Sequence, residues 1–401
     1  MTRRTGSYCI GLAAFVSGSV LAGCSSSGGV AGPSLVGSSA IPVAAPSHGV
    51  KRGPVGLGKL LSTKNNAQIF GFDIDQNGND GVLATAAHVQ TFDQDTGQIT
   101  KSFPRRTPAG TTYSMNNIFA GDVGLVTRYV QPKGSIYAKL YYNVMNPVTG
   151  GTFNAKWTPP ISDINVEQGA ENQATSTSVL FAIELKNQDN PDLFVSNIVT
   201  NTFSKVIHLD PNEFLLGDAP QLGQYTAANE AVFALSPDGG RVGGEAPVNV
   251  LFNLQSGKET QFTGYNSGPF GAGYVNGLGV DPNTGIAATT TELNAQVELY
   301  DLNKQTGIAD VQLPCTGNSS QTASGSGIAI DPINKLFLVS EQEYCSTGKG
   351  AIVVYDESGN LVEAIPGFTF FIGEGAAALN PSKRMGWAFG PHFNQLQQFF
   401  Y

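Results

Sequence analysis

The sequence predicts an all-β fold built from repeated antiparallel strands. Charged residues make up only 13% of the 401 residues, whereas glycine occupies 49 positions. In the C-terminal half, short apolar segments alternate with turns that contain Pro, Asn, Asp or Gly. This pattern is typical of an exported protein with short strands and many tight turns.

Four segments repeat the same order of a small-residue apolar strand and a Pro-containing turn. Their prolines, at spacings of 45, 50 and 49 residues, are Pro237, Pro282, Pro332 and Pro381. In three of the repeats a later strand ends in an aromatic residue followed by an acid or amide: Phe252-Asn253, Tyr300-Asp301 and Tyr355-Asp356. Four strands per repeat of about 48 residues indicate a β-propeller blade. A β-sandwich with coincidental spacing is the alternative.

The length favours a single propeller with seven blades, with six or eight as alternatives. Residues 59–401 divided by seven give 49 residues per blade, which is close to the repeat spacing. We expect blades at about 64–105, 110–158, 175–215, 226–264, 273–314, 325–368 and 374–401. The last blade has room for only three strands before the end of the sequence. A segment near Leu57–Ser62 is therefore expected to supply its fourth strand, which would close the ring and leave no exposed sheet edge.

The first 23 residues have the features of an export signal. Arg3 and Arg4 precede an apolar stretch from Tyr8 to Val20, and small residues follow. The segment Leu21-Ala22-Gly23-Cys24 resembles the lipobox of bacterial lipoproteins, and an ordinary secretory signal is the alternative. The resemblance implies cleavage before Cys24, its acylation with chains such as palmitate, and a membrane anchor.

The segment 24–58 is expected to be a flexible tether, because it is rich in Ser, Gly, Ala and Pro and lacks apolar periodicity. In enterobacterial lipoproteins, an aspartate directly after the lipidated cysteine is linked to retention in the inner membrane. This chain has Ser25 at that position, so the resemblance implies the outer membrane. Whether the domain faces the periplasm or the outside stays open.

Charge and cysteine content limit the classes of partner. The formal net charge of −9 disfavours nucleic acid, which needs clustered basic residues. Expected partners are therefore the membrane, through the lipid, and an unidentified protein, carbohydrate or other small molecule. Cys315 and Cys345 are the cysteines left after the lipobox. In an oxidising compartment they predict a disulfide, with two buried free thiols as the alternative.

Several acidic and polar residues are expected on one face of the propeller, here called the top. It holds the connectors between blades and the loops between second and third strands, whereas the turn after the first strand lies at the bottom. Glu230, Asn276 and Glu374 are expected at the mouths of first strands, where they could bind a hard cation such as calcium. The expected rim residues are Glu245, Glu292, Glu341, His88 and His392. A solvated polar rim without metal is the alternative.

Two family resemblances bear on this face. The segments Val275-Asn276-Gly-Leu-Gly and Gly373-Glu374-Gly-Ala-Ala resemble metal-binding strands of gluconolactonase-like propellers, which implies that Asn276 and Glu374 coordinate metal. Ser326 stands where that family has an acidic ligand. More broadly, the last four repeats resemble YVTN/NHL-like propellers, several of which only bind.

A second calcium site is considered near the first predicted blade. Asp73, Asp75, Asn77 and Gly78 match the opening half of an EF-hand-type loop. Position 12 of such a loop supplies a bidentate Glu, but here it is Ala84. Asp80 could replace that ligand, but it lies one residue out of register. A plain turn is the alternative, and any calcium here would be structural.

The sequence leaves three functions open. A binding or scaffolding propeller on a membrane is favoured, because no nucleotide-binding, nucleophile or Cys/His metal motif is present. A metal-dependent, lactonase-like hydrolase would use Asn276 and Glu374 with Glu230. A structural assembly component at the outer membrane is the third.

Overall fold

The computed structural model describes only part of the chain in atomic detail. Side chains are described for most of residues 55–104 and 251–401, with gaps that include 263–274, 292–295, 315–324 and 371–376. Between 105 and 250 the backbone of the strands is described. Every described residue belongs to one compact unit, 46–401.

The described residues form short strands. In chain order these are β1 (Gly56–Ser62), β2 (Ile69–Ile74), β3 (Asp80–Thr85), β4 (His88–Asp93), β5 (Ile99–Pro104), β6 (Asn117–Ala120), β7 (Val123–Val130), β8 (Lys139–Met145), β9 (Thr152–Asn154), β10 (Ile164–Asn172), β11 (Thr177–Glu184), β12 (Pro191–Asn197), β13 (Thr202–His208), β14 (Gln221–Tyr225), β15 (Ala231–Leu235), β16 (Asn249–Asn253), β17 (Glu259–Phe262), β18 (Val275–Val280), β19 (Ile286–Thr291), β20 (Gln296–Asp301), β21 (Thr306–Gln312), β22 (Gly325–Asp331), β23 (Leu336–Glu341), β24 (Gly350–Asp356), β25 (Leu361–Phe368), β26 (Ala378–Asn380), β27 (Met385–Phe389) and β28 (Gln395–Phe400). Two 3-10 turns, Lys64–Asn66 and Pro381–Lys383, are also described.

These strands pair into four-stranded antiparallel sheets. Sheets I to VI each contain four consecutive strands: β2–β5, β6–β9, β10–β13, β14–β17, β18–β21 and β22–β25. Sheet VII has the order β26, β27, β28 and β1. The described residues contain no α-helix. The prediction of an all-β fold is therefore confirmed.

Consecutive sheets contact each other mainly through their first strands. β2 contacts β6, β10 contacts β14, β14 contacts β18, β18 contacts β22, β22 contacts β26, and β26 contacts β2. Sheets II and III meet through β8 and β10. This cyclic order is compatible with a β-propeller, in which first strands line a central axis.

Sheet VII joins the two ends of the described chain. β1 pairs with β28, with Leu57 opposite Phe399 and Leu61 opposite Leu396. The expectation that the segment near 57–62 supplies this strand is confirmed. Gln398 fixes the junction, because its Oε1 accepts from Lys59 N at 2.9 Å and its Nε2 donates to Gln94 O at 2.7 Å.

Apolar side chains fill the spaces between neighbouring sheets, and two of these clusters are used below. Leu61, Leu83, Phe92 and Trp387 pack between sheets VII and I. The cluster between sheets V and VI contains the described buried residues Ala288, Val297, Leu299, Leu313, Phe337, Val339, Ala351, Val353 and Tyr355. Sheet VI thus buries both of its faces, one against sheet V and the other against sheet VII, as stacked repeats require.

The predicted repeat alignment is wrong in sheets III and IV. β10 begins at Ile164, before the expected start near 175. In sheet IV the Ala231–Leu235 segment, read as a first strand, is the second strand, and Gln221–Tyr225 is the first. Pro237 therefore follows a second strand and is not equivalent to Pro282. The spacing between Pro237 and Pro282 was mistaken for the repeat length, because both prolines follow short apolar strands.

Candidate functional site

The two ends of the sheets differ in how their polar groups are satisfied. We keep the names top and bottom, with the turn between the first and second strands at the bottom. Because strands alternate in direction, the turn between the third and fourth strands lies there too.

Acid and amide side chains cap the bottom turns. Asp301 Oδ1 accepts from the backbone N–H groups of Asn303 and Lys304, both at 3.0 Å. Asp356 Oδ1 accepts from Ser358 and Asn360, both at 2.9 Å. The aromatic-acid dipeptides found in the sequence are thus turn-forming elements.

Neighbouring bottom turns are also joined to one another. Asn283 Nδ2 donates to Pro332 O at 3.3 Å, and Asn334 Nδ2 donates to Pro381 O at 3.3 Å. Asn380 Nδ2 continues the series to Gly78 O at 3.0 Å. These bonds hold adjacent sheets together and indicate a structural role for the bottom.

The top halves of the strands hold most of the unpartnered polar groups. Among the described residues, eleven buried side-chain N or O atoms lack a hydrogen-bond partner. Eight of them are in top halves or directly beyond, on Gln90, Thr289, Thr290, Ser340, Glu341, Gln342 and Gln395. Unpartnered buried polar groups are rare in native proteins, so their concentration here calls for a functional explanation.

Glu341 is the charged member of this set. It ends β23, its side chain is fully buried, and neither carboxyl oxygen has a hydrogen-bond partner. Alternation along β23 places Glu341 on the same side as Val339, which packs between sheets V and VI. The carboxyl group therefore lies in the top part of the space between these sheets.

Thr290 faces the same space from sheet V. It lies two residues after Ala288, which belongs to the cluster between sheets V and VI. Its Oγ1 is buried and unpartnered, as is Nε2 of Gln342 beside Glu341. We call Thr290 and Glu341, with Tyr344, which packs against the same cluster, the V–VI site.

Burial controls the electrostatics of the V–VI site. Desolvation raises the pKa of Glu341 to about 8, so the carboxyl group is mainly neutral at pH 7. Burial, with Glu341 as a further cause, raises the pKa values of Tyr344 and Tyr355. Tyr355 donates its hydroxyl proton to Gln312 O at 3.3 Å. A neutral carboxyl group and a hydroxyl group can each donate and accept hydrogen bonds to a polar ligand.

A second buried acid provides a contrast. Glu298 accepts a hydrogen bond from the Tyr300 hydroxyl. Burial, with Asp310 opposite it on β21 as a smaller cause, raises the pKa of Glu298 to about 7. The Tyr300 hydroxyl satisfies the buried carboxyl group of Glu298, so no ligand is needed to explain its burial. Glu341 has no such partner.

The structure places three of the expected rim residues. His88, at the start of β4, and His392, between β27 and β28, are exposed. Glu341 differs, because its side chain is 0% exposed and lies below the rim. The sequence marked Glu341 only by its position at the end of a second strand, now β23. Thr290 and Gln342 were missed, since an ordinary strand Thr and a loop Gln carry no motif.

Most of the other proposed site residues lie outside the described side chains. These are Cys24, Glu230, Glu245, Asn276, Glu292, Cys315 and Glu374; the backbone of Asn276 is described in β18. Glu230 lies between β14 and β15, the first and second strands of sheet IV. Its expected position before a first strand, equivalent to that of Glu374, is therefore wrong.

The predicted disulfide and metal sites stay predictions. Cys345 lies in the segment between β23 and β24, and Cys315 lies outside the described residues, between β21 and β22. Within the part of the chain that is described, no group of three or more His, Cys, Asp or Glu residues could hold a metal ion.

The predicted calcium turn lies between β2 and β3. Asp75 N donates to Asp80 O at 2.9 Å, and Gln94 Nε2 donates to the carbonyl oxygens of both residues at 2.8 and 2.7 Å. Asp73 Oδ1 accepts from Ile74 N, and Asn77 lies outside the described residues. Its described contacts are those of a hydrogen-bonded turn.

Comparisons with known proteins add no family. Neither protein-family models nor curated proteins match the chain. Among the described residues, no helix has the length and apolar character needed to cross a membrane.

Proposed function

We propose that this chain is an exported lipoprotein, anchored in the outer membrane through Cys24, whose seven-bladed β-propeller acts as a binding module through its top face. The difference between top and bottom carries the proposal. Bottom turns are hydrogen-bonded within and between sheets, whereas buried groups at the top, above all Glu341, lack partners. Such groups gain most from a ligand that supplies the missing hydrogen bonds.

The sheet order supports the propeller part of the proposal. Seven four-stranded sheets are described, and the last contacts the first through β26 and β2. β1 completes sheet VII directly after the segment that we infer to be the tether. The top then holds the V–VI site, the exposed His392 and the cysteines that we infer to be bridged.

Binding through the top can be tested by photo-crosslinking. Benzoylphenylalanine would replace His392 at the top in one variant and Ile333 at the bottom in another; both residues are exposed. In membranes of the producing cells, we expect one discrete adduct from His392 and none from Ile333. Equal adducts from both positions, or an adduct from Ile333 alone, would contradict binding through the top.

A second variant ties the adduct to the V–VI site. Thr290→Val keeps the shape of the side chain and removes the unpartnered hydroxyl. We expect it to weaken formation of the His392 adduct. The anchor is tested separately, because Cys24→Ala should abolish incorporation of labelled palmitate and release the chain from membranes.

A further inference from the structure

We infer that the outer edge of sheet VII is a contact surface for anionic lipid headgroups. The inference rests on the proposed lipid anchor, and it adds a second, non-covalent contact with the same membrane. The surface consists of Val55, Leu57, Lys59, Leu60 and Lys64, and we call it the β1 edge.

Exposed apolar side chains are concentrated on the β1 edge. Four large hydrophobic residues are exposed among the described residues, and three of them are Val55, Leu57 and Leu60. The two leucines are each about half exposed, at 50% and 49%. Single exposed apolar residues are normal, but three within six positions form a patch that indicates a contact.

The strand register places the two leucines on one side of β1. Leu57 lies opposite Phe399 and Leu60 opposite Gln397, two residues apart on β28 and therefore on the same side of the sheet. A bulge between Leu57 and Leu60 keeps them in phase despite their spacing of three. β1 is the outermost strand of sheet VII, so this apolar pair lies at its outer edge.

Basic residues accompany the apolar pair. Lys59 and Lys64 are exposed, and residues 51–64 contain four basic residues and no acid. The whole chain has a net charge of −9, so this positive segment stands out against its background. Apolar residues with Lys or Arg beside them are the combination that binds anionic lipid surfaces.

The position of β1 in the chain agrees with this partner. β1 is the first described strand, and it follows the segment that begins at the proposed lipidated Cys24. An acyl chain on Cys24 would hold the β1 edge close to the membrane at high effective concentration. A weak contact would then orient the propeller.

Vesicle co-sedimentation tests the surface without the acyl chain. The probe is the mature-length chain, 24–401, carrying Cys24→Ser. It would be mixed with vesicles of phosphatidylethanolamine and phosphatidylglycerol, or of phosphatidylcholine alone. We expect binding to the phosphatidylglycerol vesicles, and about tenfold weaker binding after Leu57→Ser with Leu60→Ser. Lys59→Glu should also weaken binding, and high salt should abolish most of it.

Ile333→Ser is the matched control, since it removes an apolar side chain that is 63% exposed at the bottom. It should leave vesicle binding unchanged, and all variants should keep the wild-type melting temperature. Absence of vesicle binding, or equal effects of the β1 and Ile333 substitutions, would overturn the inference. Dimerisation lost with the leucine substitutions, without vesicle binding, would instead assign the edge to a second copy. None of these outcomes depends on whether Cys24 is acylated.

Discussion

The hydroxyl group of Tyr401 donates a buried hydrogen bond of 2.9 Å to Oδ2 of Asp331 and thereby joins sheet VII to sheet VI. The same Asp331 caps its own turn, because its Oδ1 accepts from Ile333 N and Asn334 N at 3.0 and 2.8 Å. Arg384 lies over the Tyr401 ring, with its guanidinium carbon 5.5 Å from the ring centroid. One acid thus fixes a turn and a contact between sheets.

Tyr401→Phe should therefore destabilise the domain. It removes a hydrogen bond to a buried acid, and we expect a loss of about 1–3 kcal/mol in the free energy of unfolding. Chemical denaturation would measure it. Tyr355→Phe is the matched control, since its hydroxyl donates to a backbone carbonyl at the longer distance of 3.3 Å. A loss from Tyr355→Phe as large as that from Tyr401→Phe would contradict the special role of Asp331.

Gly277 lies where the first strands β18 and β22 approach each other closely. A Cβ atom at Gly277 would lie 2.6 Å from the Cα atom of Gly327, whereas a Cβ at Gly279 would meet the end of the Ile330 side chain at 2.5 Å. Backbone cannot move aside as a side chain can. We expect Gly277→Ala to cost about 2 kcal/mol or more and Gly279→Ala clearly less, measured by thermal unfolding. Equal losses would show that the two strands can separate freely.

Leu61 and Leu60 allow a test of how β1 completes sheet VII. Leu61 is 2% exposed and packs in the cluster with Trp387, whereas its neighbour Leu60 is half exposed. Leu61→Ala should cost about 2–4 kcal/mol, and Leu60→Ala less than about 0.5 kcal/mol. Denaturant titration of the two variants would give both values. Similar values would mean that β1 is not held in the described register.

Much of the architecture was predictable because the residues that form a turn act on backbone groups only a few positions away in the sequence. Asp301 and Asp356 cap their turns through side-chain acceptors, which explains the aromatic-acid dipeptides at the ends of the third strands of sheets V and VI. The glycine at position 277 of β18 follows from the closeness of β22, because a Cβ atom there would lie only 2.6 Å from the Cα atom of Gly327. The pairing of β1 with β28 was predictable from the missing fourth strand.

Sheet IV was misaligned for an equally local reason. Ala231–Leu235 is an apolar strand followed by Pro237, and the sequence alone does not say that another strand, Gln221–Tyr225, precedes it in the same sheet. Gln221–Tyr225 is half polar and has no Pro turn. Without that signal, the positions of Glu230 and Pro237 in the repeat could not be assigned correctly.

The candidate site was only partly predictable. Position along β23 placed Glu341 at the top, but burial depends on the packing of sheet V against sheet VI, which no local pattern encodes. The hydroxyl of Thr290 is informative only because it lacks a partner in that packed space. Function at this site therefore becomes visible from unpartnered atoms rather than from a motif.

The stability of the domain should depend on pH through Glu341. Burial raises its pKa from 4.5 to about 8 in the folded chain, so the folded state holds a proton that the unfolded state releases between these values. The contribution is complete below pH 4.5 and is lost as pH rises through about 8. The wild-type free energy of unfolding should fall across this interval, in part because of this acid.

Glu341→Gln isolates the effect, since glutamine has nearly the same shape and stays neutral. Its stability should approach that of the wild type at pH 5 and exceed it by about 1–4 kcal/mol at pH 9, as measured by urea titration at each pH. Glu298→Gln is the control, because burial raises the pKa of Glu298 to about 7 and its difference from wild type should reach a plateau nearer neutral pH. A wild-type and a Glu341→Gln curve that stay parallel from pH 5 to pH 9 would show that Glu341 is solvated or paired in solution, and the V–VI site would lose its unpartnered acid.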